Sequence, residues 1–441
     1  MPPQVSVVAV LRWAKENVSN SRLTWLAQIL PLTEFTHICQ NIYFSVDGYS
    51  DTDYILANGY LSYIFFENLV VSEQPNFAEY SQLCRENLET ALAKLPVLTP
   101  SSMNVIAALT LGAYNAVENS QANAAWAFIS AAASHCLMLG YNRIRTHSDD
   151  AESLTTAEER LFWAVYRLEK GISLRLGRPS CLRSRDILLP PIPHDIRIKM
   201  ANIQGRAYDE LYSPGSLMRD DFERNCIAKS LAAELRQCIV GTHADIMRVF
   251  GSKGETPTDP FGKVYLQFDC SGGVSDECLT VAREALQIHE QCIATVRGCQ
   301  HEPLMLARYV NWAIVHCPFP PFSILITYVI HSADESELCN LERFAASLEP
   351  LGSSVASDLA QPSHLYRLLC KATRLYIRFD TTLPTSETLE FNTSGFSGSS
   401  LLDIGWSSSI PGQLQQDPEW LGEWWNGNQL VMGVLDQNTY S

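Results

Sequence analysis

Residues 156–179 read TAEERLFWAVYRLEKGISLRLGRP, and this stretch decides the fold. Thr156 with Glu159 three positions on is a capping box, in which each side chain satisfies a backbone N–H that a starting helix leaves open. Leu161, Phe162, Val165, Leu168, Ile172 and Leu176 then recur at three- and four-residue spacing, which places them on one face of a helix. Gly177 and Pro179 close it, because glycine takes a left-handed turn and proline cannot continue the ladder.

The same period extends outward. Residues 101–117 (SSMNVIAALTLGAYNAV) predict a helix capped by Ser101 or Ser102 after Pro100. The Ala-rich run 121–139 predicts another, ended by Gly140. Three consecutive helices are thus expected across 101–177, with Trp126, Phe162, Trp163 and Leu176 buried. Residues 183–193 (RSRDILLPPIP) hold too many prolines to be helical throughout. Helical periodicity resumes over 216–250, 277–297, 303–316, 320–332, 335–349 and 363–379, while strand-like alternation is scarce. The expected fold is all-α, a multi-helix packed domain.

Composition bounds the function. The 441 residues are 46% apolar and 18% charged, enough for a substantial core and unlike a disordered or collagenous chain. Lys plus Arg total 32 against 48 acids, a net charge of −16, so no whole-surface attraction to phosphate is expected. The 13 cysteines include no C-x-x-C pair and sit mostly in apolar runs, the pattern of buried free thiols in a reducing compartment. Val5–Leu11 is too short to span a bilayer, and prolines 318, 320 and 321 interrupt the apolar stretch Trp312–Ile330, so no membrane span is expected.

From 381 onward the composition changes. Ser, Thr and Gly dominate 381–416, and no Lys or Arg follows Arg378. This reads as a flexible linker. Residues 417–441 follow as an acidic amphipathic segment, with Trp420, Leu421, Trp424 and Trp425 at helical spacing. Trp420, Trp424 and Trp425 are candidates for docking a partner: either a coactivator takes them, or the tail folds back on the chain's own helices.

Several separated motifs resemble the fungus-specific transcription-factor domain, the middle homology region of fungal zinc-cluster regulators. They are Trp126–Gly140, the run EERLFWAVYRLEKGISLRLGRPSCLRSRDILLPPIP, IQGRAYDELYSPGSL at 203–217, YVNWAIVHCPFPPFSILITYVI at 309–330, and Glu423-Trp424-Trp425 with its following Gly-Asn. Together they reach across most of 90–435 in the family's order. The resemblance implies an all-helical regulatory region, divided as residues 1–95 (an N-terminal helical part), 96–380 (the homology domain), 381–416 and 417–441. It also implies nuclear localisation, other regulators or coactivators as partners, homodimerisation, and target genes in secondary metabolism or nutrient use. The six closely spaced cysteines that hold two zinc ions in such regulators do not occur in this sequence. DNA contact is therefore expected through a partner or a module beyond it.

The sequence lacks the common catalytic patterns. There is no G-x-S-x-G, P-loop or H-E-x-x-H. Asp149-Asp150 and Asp220-Asp221 lack the further acid that a hard-cation site needs, since Ser153 and Arg224 stand there. No enzyme activity, metal or cofactor is expected. His135 reads as a satisfied core residue. The turn after the 156–176 helix is the remaining candidate site. Glu169, Arg175, Arg178, Arg183 and Arg185 form either an anion pocket for a metabolite carboxylate or phosphate, or a fold-determining turn with Arg178 paired to an acid such as Glu169. A small-molecule receptor of the same fold, or a co-regulator that does not bind DNA, is the alternative function.

Overall fold

The computed structural model describes residues 1–382 apart from 18–20, 45, 47, 73–75, 97, 120, 144–155, 194, 251–275, 298–305, 307–308, 311–319 and 349–361. Among the described residues every regular element is a helix, as the periodicity predicts. The chain forms two compact units, Met1–Gly205 and Arg206–Ser441, with the division inside the 96–380 span expected as one domain.

The first unit opens with α1 (Gln4–Glu16), α2 (Ser21–Ile29), α3 (Leu32–Phe44), α4 (Asp51–Ser72) and α5 (Asn76–Leu92). The long α4 packs on α5 and is buried along much of its length, with Ile55, Leu56, Leu61 and Phe65 at the centre. Two polar groups in this core have defined partners. Asn58 donates to the Tyr54 carbonyl at 2.8 Å and accepts from Asn87 at 3.1 Å. The Tyr60 hydroxyl lies 2.7 and 2.9 Å from the Leu26 and Leu30 carbonyls at the end of α2. The Leu26 carbonyl also accepts the Leu30 N–H at 3.1 Å, and because carbonyls at a helix end lack a full set of backbone donors, a buried hydroxyl there removes a desolvation cost.

Three further helices follow as expected: α6 (Met103–Glu118), α7 (Ala122–Met138) and α8 (Ala157–Leu176). Ser102, not Ser101, caps α6, accepting the Val105 N–H at 3.2 Å. Ser101 instead bonds His135 Nδ1 at 2.8 Å, so His135 is satisfied but half-buried rather than in the core. Gly140 follows α7 at φ +72°. α7 packs between α6 and α8. Phe162, Trp163 and Leu176 are buried as expected, but Trp126 is only half-buried. The unit ends in α9 (Ile196–Ala207).

The second unit begins with a π-helical turn at Tyr208–Tyr212 and a 3-10 turn at Ser216–Met218. It continues with α10 (Asp221–Phe250), α11 (Asp276–Arg297), α12 (Pro320–Ser332), α13 (Glu335–Ser347) and α14 (Pro362–Thr382). Asp220 caps α10 by accepting the Glu223 N–H at 2.9 Å, which accounts for one member of that acid pair; Asp149-Asp150 lies outside the described residues. Pro320 opens α12, where the missing N–H costs nothing. α11 to α14 share one core around Phe322, Leu325, Leu341 and Phe344. No helix among the described residues is long and apolar enough to cross a membrane.

Candidate functional site

The turn after α8 is built by the helix end itself. Thr156 and Glu159 form the expected capping box, at 3.2 and 3.0 Å. At the other end Gly177 adopts φ +60°, and the N–H groups of Gly177 and Arg178 return to the Leu174 and Ser173 carbonyls at 3.1 and 2.9 Å. That pair of bonds is a Schellman closure, which needs a left-handed residue at this point.

α8 is buried almost all round rather than on one face. Trp163, Ala164, Tyr166, Glu169, Lys170, Ser173 and Leu174 are enclosed along with the predicted apolar stripe. The Glu169 side chain, at 0% exposure, uses both carboxylate oxygens inside the molecule. One accepts the Ser180 hydroxyl at 2.7 Å; the other accepts the Cys181 N–H at 2.7 Å and the Ser173 hydroxyl at 3.2 Å. Burial pushes its pKa above the ordinary carboxylate value, although these donors and the Lys170 charge act the other way. Lys170 is enclosed too, with its ammonium 5.5 Å from the centre of the Tyr166 ring.

Arg178 is not the partner of Glu169, contrary to the expected pairing. Its guanidinium donates to Asn123 and lies 4.8 Å from the Trp126 ring centre, so it ties the turn to α7. The loop brings Ser180 and Cys181 over the Glu169 carboxylate, and these donors take the place expected for the arginine. Arg175 is half-buried, and Arg183 and Arg185 are exposed around the 3-10 turn Ser184–Asp186. Asn142 pins the segment beyond it, donating to the Asp186 carbonyl at 2.7 Å and accepting the Leu188 and Leu189 N–H groups at 2.9 and 3.1 Å. Trp420, Trp424 and Trp425 lie outside the described residues.

Sequence reasoning missed a second ionic cluster. Arg167 on α8 reaches Asp195 at 2.9 Å and also donates to Gln28 on α2, while Arg197 chelates Asp195 at 2.9 and 3.0 Å. Burial raises the Asp195 pKa, but the Arg197 hydrogen bond and the two guanidinium charges outweigh it and hold the group below the ordinary value. No local signal marks Gln28 as a partner of a residue so distant in sequence.

Chemically, these groups hold segments together. Among the described residues no three His, Cys, Asp or Glu side chains are grouped so as to hold a metal ion. Of the described cysteines, Cys39, Cys84, Cys136, Cys278 and Cys370 are buried free thiols, and burial raises Cys84 and Cys370 to about 12. Cys181, Cys226 and Cys339 are exposed, against the expectation of general burial. An apolar void beside Ala14, Leu23, Leu30 and Tyr60 measures about 20 Å³, too small for a metabolite.

Residues 72–236, from the end of α4 through α5–α9 into α10, match the family described as the fungal specific transcription factor domain. Over these residues the chain is similar to that domain. The matched span is shorter than the 90–435 reach of the sequence motifs. An uncharacterized transcriptional regulatory protein of Schizosaccharomyces pombe is 26% identical over a region covering 29% of this chain and 17% of that protein. The chain thus spans about a sixth of the length of this relative. No solved structure matches.

Proposed function

We propose that this chain is the regulatory portion of a nuclear transcriptional regulator of the fungal zinc-cluster type. It acts through other regulators or coactivators and reaches DNA through a partner or a module outside this sequence. The observation that carries the reading is the match of residues 72–236 to the fungal specific transcription factor domain. The net charge of −16 supports indirect DNA contact, because phosphate binding rests on clustered cations. The turn at Gly177–Pro179 serves as a fold determinant, with Glu169 and Arg178 holding it and Arg175, Arg183 and Arg185 around it. The partner-facing segment is 417–441, through Trp420, Trp424 and Trp425.

Fusing the 441-residue chain to a heterologous DNA-binding domain tests this. A several-fold change in a reporter carrying that domain's site is expected. A folded, nuclear fusion that leaves the reporter unchanged would sink the proposal. In a mobility-shift assay at physiological salt the isolated chain should not retard duplex DNA; sub-micromolar sequence-specific binding would overturn the indirect-contact part.

A further inference from the structure

We propose that the open face of α14 is the docking surface for the chain's own acidic, tryptophan-rich segment, residues 417–436.

α14 is apolar on two faces. Tyr366, Cys370 and Ile377 are buried, with Tyr366 edge-on to Phe322 at 4.9 Å. The other face carries Leu368, Leu369, Leu375 and Tyr376, which are 47, 38, 57 and 40% exposed. Leu368 and Leu375, like Leu369 and Tyr376, stand seven residues apart, with exposed Ala372 between them, so they form one continuous stripe along the helix. An open apolar stripe of this kind marks an interaction surface.

Charge selects the occupant. Residues 362–379 of α14 contain no Asp or Glu, and Lys371 and Arg378 are exposed beside the stripe. Arg374 is engaged with Glu342 at 2.7 and 2.8 Å. The chain beyond Arg378 has no Lys or Arg, and within 417–436 Asp417, Glu419, Glu423 and Asp436 surround Trp420, Leu421, Trp424 and Trp425. At helical spacing Trp420 with Trp424, and Leu421 with Trp425, make a matching apolar stripe with Glu419 and Glu423 beside it. Pairing the stripes removes both from water and sets acids against Lys371 and Arg378.

Reach favours the chain's own segment. α14 has 21 residues and is about 31 Å long. A Ser/Gly-rich tether of the length of 383–416 has a root-mean-square span of roughly 30 Å. A tether matched to its span gives an effective concentration in the millimolar range, well above that of a separate partner. The docking stands apart from the transcriptional reading; only its consequence, that a coactivator must compete with α14 for the tryptophans, rests on it.

Hydrogen exchange of the full chain, read by mass spectrometry over 417–436, tests the proposal. Amides there should exchange at least about tenfold more slowly than in the free peptide of the same sequence. Leu368→Glu with Leu375→Glu should abolish the protection, and Lys371→Glu should reduce it. Circular dichroism checks the fold of each variant; if the double variant unfolds, Lys371→Glu decides. Exchange at the free-peptide rate in the unaltered chain would overturn the proposal. So would protection that these substitutions leave intact, or protection that disappears on dilution as a dimer dissociates, which would make a second copy the source.

Discussion

The Glu169 carboxylate accepts the backbone N–H of Cys181 at 2.7 Å, across twelve residues and at zero solvent exposure. The contact makes a buried acid the latch of the turn after α8. Glu169→Ala leaves the Cys181 N–H and the Ser180 and Ser173 hydroxyls without their acceptor, at a cost of about 3 kcal/mol. Glu169→Gln retains an amide oxygen for Cys181 and should cost about 1 kcal/mol. Urea unfolding midpoints of the variants check the order.

Gly205 answers Lys170. A Cβ at position 205 would stand 2.8 Å from Lys170 Cδ and 2.9 Å from its Nζ. A surface lysine would swing aside, but Lys170 is 1% exposed and has nowhere to go. Alanine in α9 gains about 1 kcal/mol of helix propensity over glycine. Overpacking costs about 1–3 kcal/mol, so Gly205→Ala should be destabilising by about 1 kcal/mol net. Adding Lys170→Met, which supplies a flexible neutral tip, should restore part of it, with a measurable coupling in a double-mutant cycle.

Phe162 and Trp126 should rank opposite to their size. Phe162 is fully buried, 5.2 Å from the Trp163 ring, and Phe162→Ala should cost about 3–5 kcal/mol. Trp126 is half-buried beneath Arg178, a contact worth about 0.5–1 kcal/mol beyond its packing. Trp126→Ala should therefore lower thermal stability less than Phe162→Ala, and the reverse order would contradict the burial pattern.

His289 gives the second unit an acid limit. It is 2% exposed, bonded to the Tyr309 hydroxyl at 2.6 Å, and burial pushes its pKa down to about 4 from an ordinary 6.5. Between those values the unfolded chain takes up a proton that the folded chain refuses, so stability falls as pH drops through this window and is flat above it. The loss is at most about 3 kcal/mol by pH 4. His289→Asn should flatten this part of the stability–pH curve measured by urea unfolding.

How much of this was legible depends on distance along the chain. The limits of α6 and α8 were readable because Ser102, Thr156, Glu159 and Gly177 act on backbone groups within a few residues. The roles of Glu169, Arg178 and Arg167 were not, because their partners are Cys181, Trp126 with Asn123, and Gln28 with Asp195. The apolar period of α8 marked one face, yet the helix is enclosed on nearly every side. A charged Glu169-Lys170 pair reads as a solvated edge until neighbouring segments cover it.

The residues alone determined the all-helical class, the limits of α6 and α8, the acidic balance and the absence of a zinc-cluster cysteine pattern from this sequence, because capping, periodicity and charge are local or additive. Only the tertiary structure decided that Glu169 and Lys170 are buried, that Trp126 serves as a platform for Arg178, and that α14 keeps a second apolar face open. Desolvation is set by what packs against a side chain, and in this fold the packing partners come from segments far apart in the chain.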